Sequence, residues 1–171
     1  MKEQLRKEFL NKRNDLTKEE VISKSKVIIE KLKQDSAYKN AKTIMFYVSK
    51  DNEVFTHDLI KETDKKIVVP KMIDNKIECC KIDNFDELEL GSYDILEPKE
   101  CKKCNLDEID LIIVPGIVFD KENHRIGFGG GYYDDLLKNC KCLKIGLAYE
   151  FQIIDNFPKD EWDIKVDKVV D

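Results

Sequence analysis

The segment DLIIVPGIVFDKENHRIGFGGGYYDDLL (residues 110–137) decides the fold, because it joins a strongly apolar run to a glycine cluster and a helical pattern. The run LIIVP (111–115) is apolar throughout, which is typical of a parallel strand covered on both faces. The stretch YYDDLLKN (132–139) predicts a helix. A strand that leads through a connection into a helix is the repeating unit of an α/β protein.

Further apolar runs predict strands of the same kind, at TIMFYV (43–48), KIVVP (66–70), LKIGLA (143–148) and DKVV (167–170). A weakly alternating run, IECCKI (77–82), predicts an additional or edge strand. Because the strands alternate with helical patterns, the fold class predicted is α/β with a mostly parallel sheet. No internal repeat or low-complexity linker divides the chain, so we expect one domain over residues 1–171.

Helical periodicity predicts two helices before the first strand. The first covers residues 2–13, and the second begins at a capping box formed by Thr17 and Glu20. A further helix is predicted over residues 56–63, with Thr56 as its cap.

Composition excludes several classes of protein. Hydrophobic residues make up 42% of the 171 residues, which is typical of a globular chain. The net charge of −5 argues against a general nucleic-acid binder, although residues 1–33 carry an excess of basic side chains that could face an anion. No apolar run approaches the roughly 20 residues of a membrane span, and the charged start does not resemble a signal peptide. We therefore expect a cytoplasmic protein.

The six cysteines form three close pairs in the sequence, namely Cys79 and Cys80, Cys101 and Cys104, and Cys140 and Cys142. These spacings fit no zinc site, because a zinc ribbon needs a second spaced pair beside the CxxC. Free thiols are the expectation in a reducing compartment. The two histidines, His57 and His124, are expected to face solvent in a helix start or a turn and to carry no chemistry.

The glycine cluster at residues 127–131 predicts a loop that binds an anion. It holds four of the chain's seven glycines, yet it is neither a Walker A loop nor a dinucleotide fingerprint, because GxxxxGK[ST] is absent and GxGxxG is broken. Without a Cβ, backbone N–H groups can turn toward a phosphate, and the following helix adds the positive end of its dipole. A carboxylate such as Asp134 beside polyphosphate indicates Mg²⁺. A plain tight turn that caps the helix is the alternative.

The segments that follow the strands are expected to meet at the ligand, because open α/β sheets bind ligands at the carboxyl ends of their strands. These segments are residues 49–53, 70–71, 115–116 and 148–152.

The segment 110–137 closely resembles the signature of the 5-formyltetrahydrofolate cyclo-ligase family, whose members are also called 5,10-methenyltetrahydrofolate synthetases. Other blocks resemble the family in the same order: KEQLR, FYVSKDNEVFT, VVPKM, ILEP, KIGLAYEFQII and FPKDEWDIKVDKVV. The resemblance spans nearly the whole chain. It implies a three-layer α/β/α sandwich with a Rossmann-like sheet.

The resemblance also implies the residues of the site. The ATP-binding residues would be Lys2, Glu3, Gln4, Leu5, Arg6, Arg125, Ile126, Gly127, Phe128, Gly129, Gly130, Gly131, Tyr132 and Tyr133. The folate-binding residues would be Val48, Glu53, Phe128, Gly129, Gly130, Gly131 and Tyr132. Asp134 and Asp163 would hold Mg²⁺. One of Tyr132 and Tyr133 is expected to stack on a ring while the other packs into the core.

Three positions depart from the family pattern. Phe128 stands where Arg is common, Asp135 where a basic residue is common, and Trp162 where His is frequent. The first departure removes a cation near the phosphates. We also expect Gly130→Ala to disfavour a positive φ angle and block the approach of the backbone to phosphate.

The implied reaction converts 5-formyltetrahydrofolate and ATP into 5,10-methenyltetrahydrofolate, ADP and phosphate in a monomer, with no covalent protein nucleophile. A non-catalytic nucleotide- or phosphate-binding protein on the same fold is an alternative. A relative of sugar-phosphate isomerases or CoA-transferases is another, but it would need a general-base carboxylate or a glutamyl nucleophile at a strand end, where Glu150 is the one late candidate.

Overall fold

A computed structural model describes residues 1–171. It contains five α-helices: α1 (Lys2–Asn14), α2 (Lys18–Gln34), α3 (Ser36–Asn40), α4 (His57–Glu62) and α5 (Tyr132–Lys138). The strands are β1 (Thr43–Met45), β2 (Lys66–Ile73), β3 (Lys76–Ile82), β4 (Leu88–Leu90), β5 (Leu96–Pro98), β6 (Lys102–Lys103), β7 (Leu111–Val114), β8 (Val118–Asp120), β9 (Arg125–Ile126), β10 (Leu143–Leu147), β11 (Ile153–Ile154) and β12 (Lys168–Val170).

Seven strands form the main sheet in the order β12-β10-β7-β1-β2-β3-β6. The five strands from β12 to β2 run parallel to their neighbours, whereas β3 and β6 are antiparallel additions at one edge. The prediction of a mostly parallel sheet is confirmed, and the weakly alternating run 77–82 does form the antiparallel addition. The chain reverses its direction of travel across the sheet at β1, because β2 lies on one side of β1 and β7 on the other.

Two hydrophobic layers sandwich the sheet, because successive residues of a strand point to opposite faces. Ile44 packs in a cluster with residues of α2, α3 and α4. Its neighbour Met45 packs in a second cluster that contains Leu136 and Leu137 of α5. Helices therefore cover both faces, which confirms the three-layer α/β/α architecture and explains why the central runs are apolar throughout.

Helix α1 packs away from these layers, against a small sheet of β11, β8 and β9. Phe9 contacts a cluster that includes Val118 and Ile126. This packing holds α1 beside the segment that leads into the glycine cluster, so the basic start of the chain and residues 127–131 are neighbours.

The cap of α2 matches the prediction and the cap of α4 does not. The Thr17 hydroxyl accepts a hydrogen bond from the N–H of Glu20, and the Glu20 carboxylate accepts one from the N–H of Thr17. Thr56 precedes α4 but makes no side-chain cap. Its hydroxyl instead donates to the carbonyl of Tyr47 and accepts from the N–H of Ser49, which ties the turn after β1 to the helix.

The prediction of free thiols is wrong for four of the six cysteines. Disulfides join Cys80 to Cys101 and Cys140 to Cys142, whereas Cys79 and Cys104 are free and buried. The pairing of β3 with β6 brings the Cα atoms of Cys80 and Cys101 to 5.0 Å. Spacing along the chain could not show this contact, because it depends on how the edge strands pair.

Candidate active site

A cavity of about 550 Å³ lies at the carboxyl ends of the central strands, next to the reversal at β1. Residues that follow β1 and β7 line it, as expected for a ligand site at the switch point of an open α/β sheet. The segment 49–53 contributes three residues to the wall, and 70–71 and 115–116 contribute one each, whereas 148–152 contributes none. No His or Cys side chain lines the cavity.

The structure brings most of the predicted site residues together around this one cavity. Those on its wall are Lys2, Arg6, Val48, Glu53, Arg125, Ile126, Gly127, Phe128, Gly129, Gly130, Gly131, Tyr132, Tyr133, Asp134 and Asp163. Glu3, Gln4 and Leu5 do not line it. Leu5 packs against the cluster around Phe9, and Gln4 is exposed. The segment is helical, so only one face of it can look into the cavity.

Lys2 and Arg6 lie one helical turn apart on α1 and are already paired with acidic or carbonyl groups. The Lys2 ammonium bonds Asp160 at 2.6 Å and also Asp163. The Arg6 guanidinium bonds the Glu3 carboxylate at 2.6 Å and the carbonyl of Gly127 at 2.7 Å. Burial lowers the pKa of Lys2, but its two carboxylate partners outweigh burial, so the pKa is raised and the ammonium stays charged.

The glycine loop takes a left-handed backbone at two positions, Gly129 (φ 102°) and Gly131 (φ 70°). Our reason for expecting damage from Gly130→Ala is wrong in part, because φ of Gly130 is not positive. A Cβ on Gly130 would instead lie 2.5 Å from the Tyr132 ring, so an added methyl would push that ring away. A Cβ on Gly129 would lie 3.5 Å from the Arg6 guanidinium, so Arg6 runs directly beside the loop.

The two carboxylates predicted to hold Mg²⁺ both line the cavity. Asp134 Oδ1 accepts from the buried Arg125 guanidinium at 3.1 Å and from the N–H of Ile164 at 3.2 Å. Asp163 Oδ2 accepts from Lys2 and from the N–H of Asp160 at 2.8 Å. Carboxylate oxygens on a wall that also carries a phosphate-type loop are the donors that Mg²⁺ prefers, so this donor set fits the ion.

Arg125 is nearly inaccessible to solvent. Burial lowers the pKa of its guanidinium, and the nearby Asp134 carboxylate partly offsets that effect. The Arg125 guanidinium also lies 5.7 Å from the centre of the Tyr133 ring.

Glu53 stands in the turn after β1 and is buried. Its Oε2 accepts from the N–H of Lys50 at 2.9 Å, and its Oε1 lies 4.0 Å from the guanidinium of Arg13. Burial raises the pKa of Glu53, while Arg13 lowers it by a smaller amount. The carbonyl of Glu53 accepts from the Tyr149 hydroxyl at 3.1 Å, which fixes the backbone of the turn.

Two neighbouring tyrosines of α5 have different surroundings. Tyr133 packs against both hydrophobic layers, and burial raises its pKa well above the ordinary value. The Tyr132 hydroxyl bonds the hydroxyl of Tyr93 at 2.9 Å at the cavity edge. The structure therefore packs Tyr133 toward the core and leaves the Tyr132 ring at the entrance, where Phe128 and Trp162 are also exposed.

Sequence reasoning missed several wall residues, of which the charged or aromatic ones are Arg13, Tyr47, Tyr93, Glu97, Asp160 and Trp162, whereas Lys50 and Asp51 belong to the expected segment 49–53. A signal existed for Arg13. It follows Arg6 by seven residues, and residues seven apart lie on the same face of an α-helix. No comparable signal marks Tyr93, which reaches the cavity from the turn between β4 and β5.

The histidines lie outside the cavity, although neither is simply solvent-facing. His57 Nε2 contacts the carbonyl of Ser49 at 2.8 Å, and burial lowers the pKa of its imidazole. His124 sits in the turn between β8 and β9, with Nδ1 3.4 Å from the buried Asp120 carboxylate.

None of the helices has the length and apolar character needed to cross a membrane.

Comparisons with known proteins agree with this geometry. The model of the 5-formyltetrahydrofolate cyclo-ligase family matches residues 1–171. A mouse 5-formyltetrahydrofolate cyclo-ligase is 32% identical over 97% of this chain and 91% of its own length. The NMR structure of Aquifex aeolicus 5,10-methenyltetrahydrofolate synthetase is 40% identical, with a TM-score of 0.90 over 99% of this chain and 88% of that one.

A 5,10-methenyltetrahydrofolate synthetase structure from Mycoplasma pneumoniae is 31% identical, with a TM-score of 0.79 over 99% of this chain and 97% of that one. Sequence and fold thus agree over nearly the full length of these relatives. The chain therefore belongs to the 5-formyltetrahydrofolate cyclo-ligase family.

Proposed function

We propose that the cavity binds ATP and 5-formyltetrahydrofolate together and catalyses the ATP-dependent cyclisation of the folate to 5,10-methenyltetrahydrofolate, with release of ADP and phosphate. The observation that carries the proposal is the single cavity that joins a glycine loop and cations to a buried Glu53. Family membership over the whole chain supports it. The readings as a sugar-phosphate isomerase or CoA-transferase relative lose support, because Glu150 does not line the cavity.

The chemistry explains why this wall needs no nucleophile. The formyl group on N5 is amide-like, so its carbon is a weak electrophile and its oxygen a poor leaving group. Transfer of the γ-phosphoryl group to the formyl oxygen forms an O–P bond and releases ADP. N10 of the folate then attacks the formyl carbon, the C–O bond breaks, and the oxygen leaves within inorganic phosphate while N10 loses its proton.

The chain contributes position and charge, which are the main contributions that proteins make to phosphoryl transfer. Lys2 and Arg6 would exchange their present partners for phosphate oxygens, and the backbone of residues 127–131 would supply N–H donors. The pairs with Asp160 and Glu3, whose side chains are 44% and 86% exposed, contribute only about 0–1 kcal/mol each, so exchanging them is inexpensive. Glu53 would hold the folate with Val48 beside it, and Tyr132 would meet a substrate ring.

Asp134 and Asp163 would hold Mg²⁺. When bound there, the ion would neutralise part of the charge of the polyphosphate. Each of the two carboxylates pairs with a protein cation, Asp134 with Arg125 and Asp163 with Lys2. Ion binding would therefore compete with these pairs, and it would leave Asp160 as the remaining carboxylate partner of Lys2.

We further propose that residues 1–171 act as one cyclo-ligase domain and as a monomer, because the wall draws on residues from Lys2 to Asp163 of the same chain.

Formation of the methenyl product, followed by its absorbance, tests the proposed function. We expect ATP-dependent growth of that absorbance with Mg²⁺ and little growth with EDTA. Glu53→Gln should raise the folate KM or lower kcat by about tenfold or more, because a hydrogen bond to a charged group contributes roughly 1.5–3 kcal/mol. Glu89→Gln, on the exposed β4, is the matched control and should behave as the unmodified protein.

Tight binding of ADP without turnover of the folate would favour the non-catalytic nucleotide-binding alternative. Turnover that proceeds normally in Glu53→Gln would contradict the role of Glu53 while leaving the activity itself established.

A further inference from the structure

We propose that Arg13 is a specificity-determining residue that recognises the 4-oxo group of the pterin ring of the folate. This inference rests on the proposed function and extends it to a residue on α1. Arg13 would donate hydrogen bonds to the oxygen while the adjacent Glu53 accepts them from the neighbouring ring N–H and amino groups.

The first observation is that Arg13 is buried yet unsatisfied. The residue is only 2% exposed, and it lines the cavity. Its Nε–H is buried without a hydrogen-bond partner, and its closest carboxylate oxygen, on Glu53, is 4.0 Å away, beyond hydrogen-bond distance. The Nε–H of Arg125 is also unpartnered, but the Arg125 guanidinium donates to Asp134 at 3.1 Å, and that of Arg6 donates to the carbonyl of Gly127.

An unpartnered buried donor is destabilising, and more so when it is charged. Buried polar groups in native proteins are nearly all bonded, so an exception at a cavity wall indicates a missing acceptor. The acceptor that Arg13 lacks is therefore expected to come from a ligand.

The position of Arg13 on α1 indicates which ligand this is. Seven residues separate it from Arg6, which corresponds to about 10 Å along the helix axis. Arg6 contacts the glycine loop, whereas Arg13 lies beside Glu53. Arg13 is thus displaced from the proposed phosphate site toward the proposed folate site.

The pairing of Arg13 with Glu53 matches one edge of a pterin. Along that edge the ring presents the 4-oxo acceptor, then the N3–H donor, then the 2-amino donor. Glu53 Oε2 is already bonded to the N–H of Lys50, and Oε1 faces Arg13. A carboxylate next to a guanidinium therefore offers acceptors beside donors, which is the complement of the ring edge. The Phe128 ring, 5.5 Å from the guanidinium, covers Arg13 on the loop side.

The test compares 5-formyltetrahydrofolate with its counterpart that carries an amino group at position 4. Dissociation constants for both would be measured by calorimetry with the unmodified protein, Arg13→Met and Arg13→Lys. Arg13→Met should weaken binding of the 4-oxo folate by about tenfold to a hundredfold. It should leave binding of the 4-amino counterpart unchanged or improved, because a donor no longer faces a donor.

Arg6→Met is the matched control from the same helix face. It should weaken ADP binding and leave the ratio of the two folate affinities unchanged. Melting temperatures verify that each variant is folded. If Arg13→Met does not fold, Arg13→Lys retains the charge beside Glu53, and a smaller shift of the ratio in the same direction is then expected.

An equal loss for both folates would overturn the proposal, because it would mean that Arg13 acts only by supporting Glu53. An unchanged ratio in both Arg13 variants would overturn it as well. Absence of folate binding by the unmodified protein would instead contradict the proposed function, so the two failures are distinguishable.

Discussion

Cations line the cavity in two different states. Lys2 and Arg6 have side chains that are each 20% exposed and already bonded, to Asp160 and Asp163 or to Glu3 and Gly127. Arg13 and Arg125 have side chains that are each 3% exposed, and the Nε–H group of each has no partner. We call the first pair the open cations and the second pair the buried cations.

The difference in exposure indicates what kind of ligand binding each pair of cations can support. The exposed partners of the open cations, Asp160 and Glu3, are replaceable, because an ion pair with a solvated carboxylate contributes little. The buried cations have already lost their water, so a ligand oxygen that reaches them gains a strong, preorganised interaction. The open cations thus suit the capture and release of phosphates, and the buried cations suit recognition.

The largest expected effect concerns stability. Arg125→Met should reduce the free energy of unfolding by about 3 kcal/mol, because it removes a buried guanidinium and the cation that pairs with the Asp134 carboxylate. Arg6→Met should cost no more than about 2 kcal/mol, since it removes one exposed ion pair and one carbonyl contact. Urea denaturation of the two variants measures both values. Equal losses would show that the two classes of cation do not differ in energy.

The next effect concerns Mg²⁺ and distinguishes Asp134, the partner of a buried cation, from Asp163, the partner of an open cation. Asp134→Asn and Asp163→Asn should each lower the gain in ADP affinity that Mg²⁺ provides by about tenfold or more, since even the loss of an outer-shell partner costs a metal site about 10–100-fold in affinity. In EDTA they should diverge. Asp163→Asn removes one of the two carboxylates that hold the open cation Lys2, leaving Asp160, and should strengthen ADP binding modestly, whereas Asp134→Asn should not.

Calorimetric titration with ADP in Mg²⁺ and in EDTA gives all of these values. A gain from Mg²⁺ that survives in both variants would place the ion elsewhere. Identical behaviour of the two variants in EDTA would mean that Lys2 is no more available than Arg125.

The smallest effect is a pH dependence with opposite signs at two glutamates. Burial raises the pKa of Glu53 in the folded protein, so the folded state binds more protons than the unfolded state at pH values above 4.5. Ionised Glu53 therefore costs stability as the pH rises through its raised pKa, and Glu53→Gln should gain stability relative to the unmodified protein over that range.

Glu20 is the control, because hydrogen bonds to Thr17 lower its pKa. The ionised Glu20 carboxylate stabilises the folded protein above the pKa that it has in the unfolded state. This stabilisation is lost as the pH falls through the lower pKa of the folded state. Glu20→Gln should therefore be less stable than the unmodified protein at neutral pH, and this difference in the free energy of unfolding should disappear at low pH. Urea denaturation between pH 3 and pH 8 (roughly the range over which carboxylates titrate) measures both slopes, and slopes of the same sign would contradict the different burial of the two groups.

Local sequence was sufficient for most of the fold. The capping box of Thr17 and Glu20 formed as predicted, because both partners lie within one turn of the chain. The apolar runs formed the parallel strands, because a strand that is covered on both faces buries every side chain and is therefore apolar at successive positions. The cap of α4 failed because the Thr56 hydroxyl finds a better partner in the turn after β1.

The candidate site likewise has features that local sequence predicts and features that depend on tertiary contacts. The sequence alone determined that a glycine cluster precedes a helix and that basic residues open the chain, and its ordered motifs identified the family. The structure added the short strand β9, which leads directly into the glycines. Only the tertiary structure decided that Arg13 is buried against Glu53, that Tyr133 rather than Tyr132 packs inward, and that Cys80 meets Cys101. Composition and spacing record what is local along the chain. Burial and partnership depend on residues far away in sequence, which come together only when α1 and the edge strands pack onto the sheet.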